Sequence, residues 1–109
     1  MFAVIYRGFI YPERDEVYRT AWKTIADYFV QHCGALGSTL HLSVAGDYIA
    51  YSRWPNRETR DASWGDAATK PLSAEVQQAI ETLKSCIDLS KPYEEIPMEV
   101  VADCFLIRT

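Results

Sequence analysis

At 109 residues, with 49% hydrophobic and 24% charged residues, the chain is long enough for one globular domain and too apolar for a disordered one. A net charge of -4, with the eleven Lys and Arg scattered, excludes a phosphate-tracking surface of the kind nucleic-acid binding relies on. Three cysteines, Cys33, Cys86 and Cys104, form no C-x-x-C pair, so they read as small buried hydrophobes in a reducing compartment, with neither a disulfide framework nor a zinc site.

Residues 2–11 are rich in Phe, Val, Ile and Tyr and read as a strand that is apolar on both faces, broken only by Arg7, for which a partner or a cavity is expected. The same opening lacks the basic start of a secretory signal, and no apolar run approaches the ~20 residues that span a bilayer. A cytoplasmic protein with no membrane and no nucleic-acid partner is expected.

Pro12 ends the strand, and residues 13–32 form the longest helix, with an acidic first turn that suits the helix dipole. Val17, Tyr18, Ala21, Trp22, Ile25, Tyr28 and Phe29 fall in one arc, the pattern of a helix laid on a sheet. Residues 39–45 alternate apolar and polar, Gly46-Asp47 signals a hairpin, and residues 48–54 return as a strand stopped by Trp54-Pro55. Asn56 caps a polar helix over residues 56–67 whose one large apolar anchor is Trp64. Ser73 caps another over residues 73–87, with Val76, Ala79, Ile80, Leu83 and Ile87 in a narrow stripe. Residues 88–97 contain Pro92 and Pro97 and read as a loop or a poor strand start, leaving residues 99–108 as the last strand.

This βαββαβ order is the ferredoxin-like, split βαβ plan of the α+β class: a four-stranded antiparallel sheet with helices on one face, in one domain over residues 1–109. The first and last strands are apolar on both faces, so something must cover the face the helices leave open. A second copy of the chain is the economical answer, giving a homodimer built sheet to sheet.

The strand F-A-V-I-Y-R, the glycine-led second strand and the run Y-I-A-Y-S-R-W-P resemble the antibiotic biosynthesis monooxygenase group of dimeric α/β-barrel proteins, over residues 2–64 and 99–107. The resemblance implies a pocket between sheet and helices and oxygenation of a phenolic, quinol or polyketide-type aromatic without cofactor or metal. The haem-cleaving branch of the group is disfavoured, because residues 56–87 contain no His and the first strand no Asn.

Cofactor-free oxygenation needs an apolar pocket, a base and donors for the substrate oxyanion. Trp22, Trp54, Trp64, Tyr6 and Tyr51 offer flat surfaces for an aromatic ligand, Arg7 and Arg53 offer positive charge, and His41 is the best candidate general base, because an unperturbed imidazole titrates near neutrality. Arg7, His41, Tyr51, Arg53 and Asp103 share the more polar strand parity, and so are expected on one face. The expected set is His41, Arg7 and Tyr51 for catalysis, with Trp22, Trp54, Trp64, Tyr6 and Arg53 for substrate. The bland reading stands beside it: the tryptophans plug the core, the polar residues pair across an interface, and the dimer binds a ligand or a partner without catalysis.

Overall fold

The computed structural model describes residues 1–63 and 72–104. Four strands, β1 (Phe2–Gly8), β2 (Gly37–Leu42), β3 (Tyr48–Trp54) and β4 (Glu94–Glu99), form one antiparallel sheet in the order β2-β3-β1-β4. Three helices, α1 (Asp15–His32), α2 (Arg57–Ser63) and α3 (Ala74–Ser85), complete the ferredoxin-like βαββαβ arrangement. Among the described residues no helix is long and apolar enough to cross a membrane.

Local signals set most boundaries. A short 3-10 helix, Pro12–Arg14, leads into α1, so the first turn expected of the long helix is tighter than α. The Asn56 side chain accepts from the Thr59 amide at 2.8 Å to open α2, and Ser73 caps α3 by accepting from the Val76 amide at 3.3 Å. Gly46, at φ 97°, turns the hairpin between β2 and β3, where only a residue without Cβ is unstrained.

The last strand lies earlier than the apolar run predicts. Residues 94–99 pair with β1, although Pro97 is among them, while 100–104 form no strand and 105–109 lie outside the described residues. The register explains the tolerance. The Val100 amide donates to the Met1 carbonyl at 3.0 Å, so by antiparallel alternation Ala3 and Met98 are the next bonded pair. Pro97, opposite Val4, then falls where the ladder needs no N–H, on an edge strand.

Strand alternation gives the sheet two unlike faces. Phe2, Val4 and Trp54 point to the helices and join Ala21, Ile25 and Phe29 of α1 and Ala79 of α3 in the main core. Each large apolar side chain buried there contributes about 1.5–3 kcal/mol. The opposite face carries Ile5, Ile49, Tyr51, Ile96 and Met98, all half-buried or exposed, beside the buried Ala3; no described helix covers it, and Asp103 reaches it at Arg53. Of the cysteines, Cys86 is buried as the composition suggests, Cys33 is half-buried and Cys104 is exposed.

Candidate functional site

Between the sheet and the helices lies a cavity of about 670 Å³, in the size range of small-molecule sites. Its roof follows from helix periodicity: Tyr18, Trp22, Ile25 and Phe29 recur at three- and four-residue spacing along α1. Ile80, Leu83 and Ile87 close the α3 side. The floor holds Tyr6, Ser38, Ala50, Ser52 and Trp54. Small residues at the middle of that floor are the reason the space is not filled.

One end of this apolar cavity is polar. Tyr6 of β1 stands opposite Glu95 of β4, so both point to the helix side, and Arg60 reaches them from α2. Arg60 Nη2 donates to the Tyr6 hydroxyl at 2.6 Å and to Glu95 Oε1 at 2.5 Å, while Nη1 donates to Asp61 at 3.2 Å. Burial opposes the guanidinium's charge, but its bonds to Tyr6 and Glu95 prevail, and its pKa is raised. Burial pushes the Tyr6 phenol up to about 12, with Arg60 pulling against it and Glu95 adding to it. The phenols of Tyr18 and Tyr93, which also line the cavity, are raised chiefly by burial. At neutral pH all three stay protonated. Glu95 is the one carboxylate on the described wall, and Lys84 is a second cation there.

The residues expected from the sequence divide between the two sides of the sheet. Tyr6, Trp22 and Trp54 line the cavity. Trp54 is only 2% exposed, packs against Phe29 with ring centroids 5.7 Å apart, and donates from Nε1 to Ser52 at 3.3 Å, so it is both core and cavity wall. Trp64 lies outside the described residues. Arg7, His41, Tyr51 and Arg53 share the opposite face, as their parity predicts, away from Tyr6 and Trp54. Arg7 finds its partner in Asp47, with Nε 2.6 Å from the carboxylate. Arg53 donates to the Tyr51 hydroxyl at 2.9 Å and to Asp103 at 3.2 Å. His41 Nε2 lies 2.8 Å from the Thr39 hydroxyl and is exposed. Tyr51 also borders the cavity, although its hydroxyl is engaged by Arg53.

Arg60 and Glu95 are the site residues that the sequence reading missed. Arg60 sits in a run of alternating charges that reads as a solvated face. The contrary signal is spacing: Ser63, which is buried and donates to the Cys33 carbonyl at 3.1 Å, follows three residues later on the same helix face. Glu95 was hidden by the misplaced last strand.

No protein-family model matches the sequence, and no curated protein matches it. Solved structures do. One described as antibiotic biosynthesis monooxygenase superposes with a TM-score of 0.72 at 16% identity, over 94% of this chain and 100% of the other. Rv0793 from Mycobacterium tuberculosis gives 0.73 at 15% identity, covering 95% and 98%. A point variant of SnoaB, a cofactor-independent oxygenase from Streptomyces nogalater, gives 0.68 at 13% identity, covering 94% of each chain. Chain order, sheet order and these superpositions agree: the protein has the fold of the antibiotic biosynthesis monooxygenases.

Proposed function

We propose that this protein is a cofactor-independent oxygenase of a small, flat, electron-rich aromatic of the phenol, quinol or polyketide type, and that it works as a homodimer in the cytoplasm. The observation that carries the reading is an aromatic-lined cavity with a single polar end. Its walls would sandwich a planar ring between Trp22 above and Tyr6 and Trp54 below, while Arg60 holds an oxyanion and Glu95 accepts the proton. The chemistry balances without an external reductant. A methylene carbon activated by a neighbouring phenolate loses a proton and bonds to dioxygen. The O–O bond then breaks, one oxygen remains as a carbonyl, the other leaves as water, and the substrate supplies all four electrons. His41, Arg7, Tyr51 and Arg53 act in this scheme at the subunit interface, around the apolar strip of Ile5, Ile49, Ile96 and Met98. Three free cysteines fit a reducing compartment.

Oxygen uptake with a panel of anthrones, quinols and flavonols tests the reading. At least one compound should consume oxygen in step with its own oxidation, and Glu95→Gln should slow that turnover by about a hundredfold or more. A second reading, binding without turnover, is favoured by one feature: the three cavity phenols with shifted pKa are all held protonated, and Glu95 is already engaged by Arg60. Ligand binding without oxygen uptake across the whole panel would establish it.

A further inference from the structure

At the polar end of the cavity one donor lacks an acceptor. The Arg60 side chain is 13% exposed and its two terminal nitrogens serve Tyr6, Glu95 and Asp61. Its Nε is buried and has no hydrogen-bond partner among the described residues. A buried guanidinium donor without an acceptor is costly, and folded proteins leave few of them. Here Arg60 forms part of the wall of a cavity that is otherwise largely apolar, with its Nε just behind that wall and Lys84 as a second cation on the same lining. A planar guanidinium is suited to an oxyanion, because its donors form a rigid fork.

We propose that Arg60 is the specificity determinant of the cavity, selecting aromatic ligands that carry an oxyanion, a phenolate or carboxylate, which docks on its guanidinium as the group turns to give the buried Nε an acceptor. This rests on the reading of the cavity as a ligand site. Glu95 and Asp61 offset part of the Arg60 charge, so Glu95 competes with the ligand. Its side chain is 46% exposed, so it can yield its place on the guanidinium to the anion while staying at the polar end of the cavity. Removing the Glu95 charge should therefore strengthen the binding of an anion.

The test is calorimetric titration of the full chain with three probes of one shape: naphthoate, acetylnaphthalene and ethylnaphthalene, substituted at the same ring position. Arg60→Gln should weaken naphthoate binding by about tenfold or more, acetylnaphthalene less, and ethylnaphthalene not at all. Arg60→Lys, which keeps the charge but loses Nε and the fork, should fall between wild type and Arg60→Gln. Equal losses for all three probes with Arg60→Lys, or no loss for any, would overturn the proposal. If Arg60→Gln fails to fold, Glu95→Gln decides: naphthoate must bind more tightly while ethylnaphthalene is unchanged, and the absence of that gain sinks the idea. Probes that bind without dependence on Arg60 remove this inference and leave the cavity reading standing. Binding that depends on Arg60, with no oxygen uptake from any phenolic compound, removes catalysis and leaves the inference. Failure of all three probes to bind wild type removes both.

Discussion

The two faces of the sheet are built from alternate residues of the same strands, and they are finished in opposite ways. On the helix side Phe2 and Val4 are sealed into the core and Tyr6 borders the cavity. On the other side Ala3, Ile5 and Arg7 lie beside Met98, Ile96 and Glu94 of β4, with an apolar centre and charged corners. The helix side is closed by its own chain except for a cavity with one ion cluster at its polar end, where Arg60 is half-buried and Glu95 and Asp61 are exposed. The outer side has no described helix on it, and charges are paired at its margin, Arg7 with Asp47 and Arg53 with Asp103. The lesson is that parity assigns surroundings here: a slip of one residue in β1 would exchange cavity floor and outer face.

The contrast breaks first at its most buried point. Phe2 is 1% exposed and sits at the base of the main core, so Phe2→Ala should cost about 3–5 kcal/mol in urea unfolding. A much smaller loss would mean that the helix side is not the closed side. Ile5, three residues on and half-buried, lies between Tyr51 and Ile96 on the outer face. If two sheets meet there, Ile5→Glu buries an unpaired charge in the interface. It should raise the dimer dissociation constant by about a hundredfold, or about 3 kcal/mol. Sedimentation velocity across a dilution series reads this directly, with circular dichroism as the check that the subunit stays folded. A variant that sediments like wild type would show that the outer face is not an interface.

How much of this was legible in the sequence depended on whether local chemistry or long-range pairing made the decision. The bounds of β3, the Asn56 and Ser73 caps and the inward arc of α1, except for Val17, which is exposed, followed from residue type and period, because those features are satisfied within a few residues. The parity of Arg7, His41, Tyr51 and Arg53 was readable for the same reason. The position of β4 was not. Pro97 argues against a strand when read alone, and its tolerance depends on which partner pairs are hydrogen-bonded, which is fixed by the β1 register. Burial of Arg60 was equally illegible, since its partners lie 54 and 35 residues away in sequence. Thus the sequence pointed to the aromatic walls of the cavity through Tyr6, Trp22 and Trp54, but not to its polar end at Arg60 and Glu95.

The smallest expected effect concerns the margin of the outer face and is sharpened by pH. Asp47 is buried in the hairpin turn, where it accepts hydrogen bonds from the Ser43 hydroxyl and from Arg7 Nε. The Ser43 bond first and the Arg7 bond second hold its carboxyl below the usual range. The unfolded chain therefore takes up this proton at a higher pH than the folded one does. The stabilisation is complete above the ordinary carboxylate pKa and is lost as the pH falls through the lower folded value. Urea midpoints for wild type should drop from about pH 5 toward about pH 2, and Asp47→Asn should start lower and fall less steeply. Arg7 is 52% exposed at the side chain, so salt should shrink the part of the difference that comes from Arg7 and spare the part that comes from Ser43. Parallel pH profiles for the two proteins would mean that Asp47 shapes the turn without tuning stability. The Arg60 cluster is more enclosed, and Arg60→Gln should lose far less of its effect on naphthoate binding when salt is raised. The two arginines thus test, from opposite sides of one sheet, whether charge here is a surface margin or a recognition element.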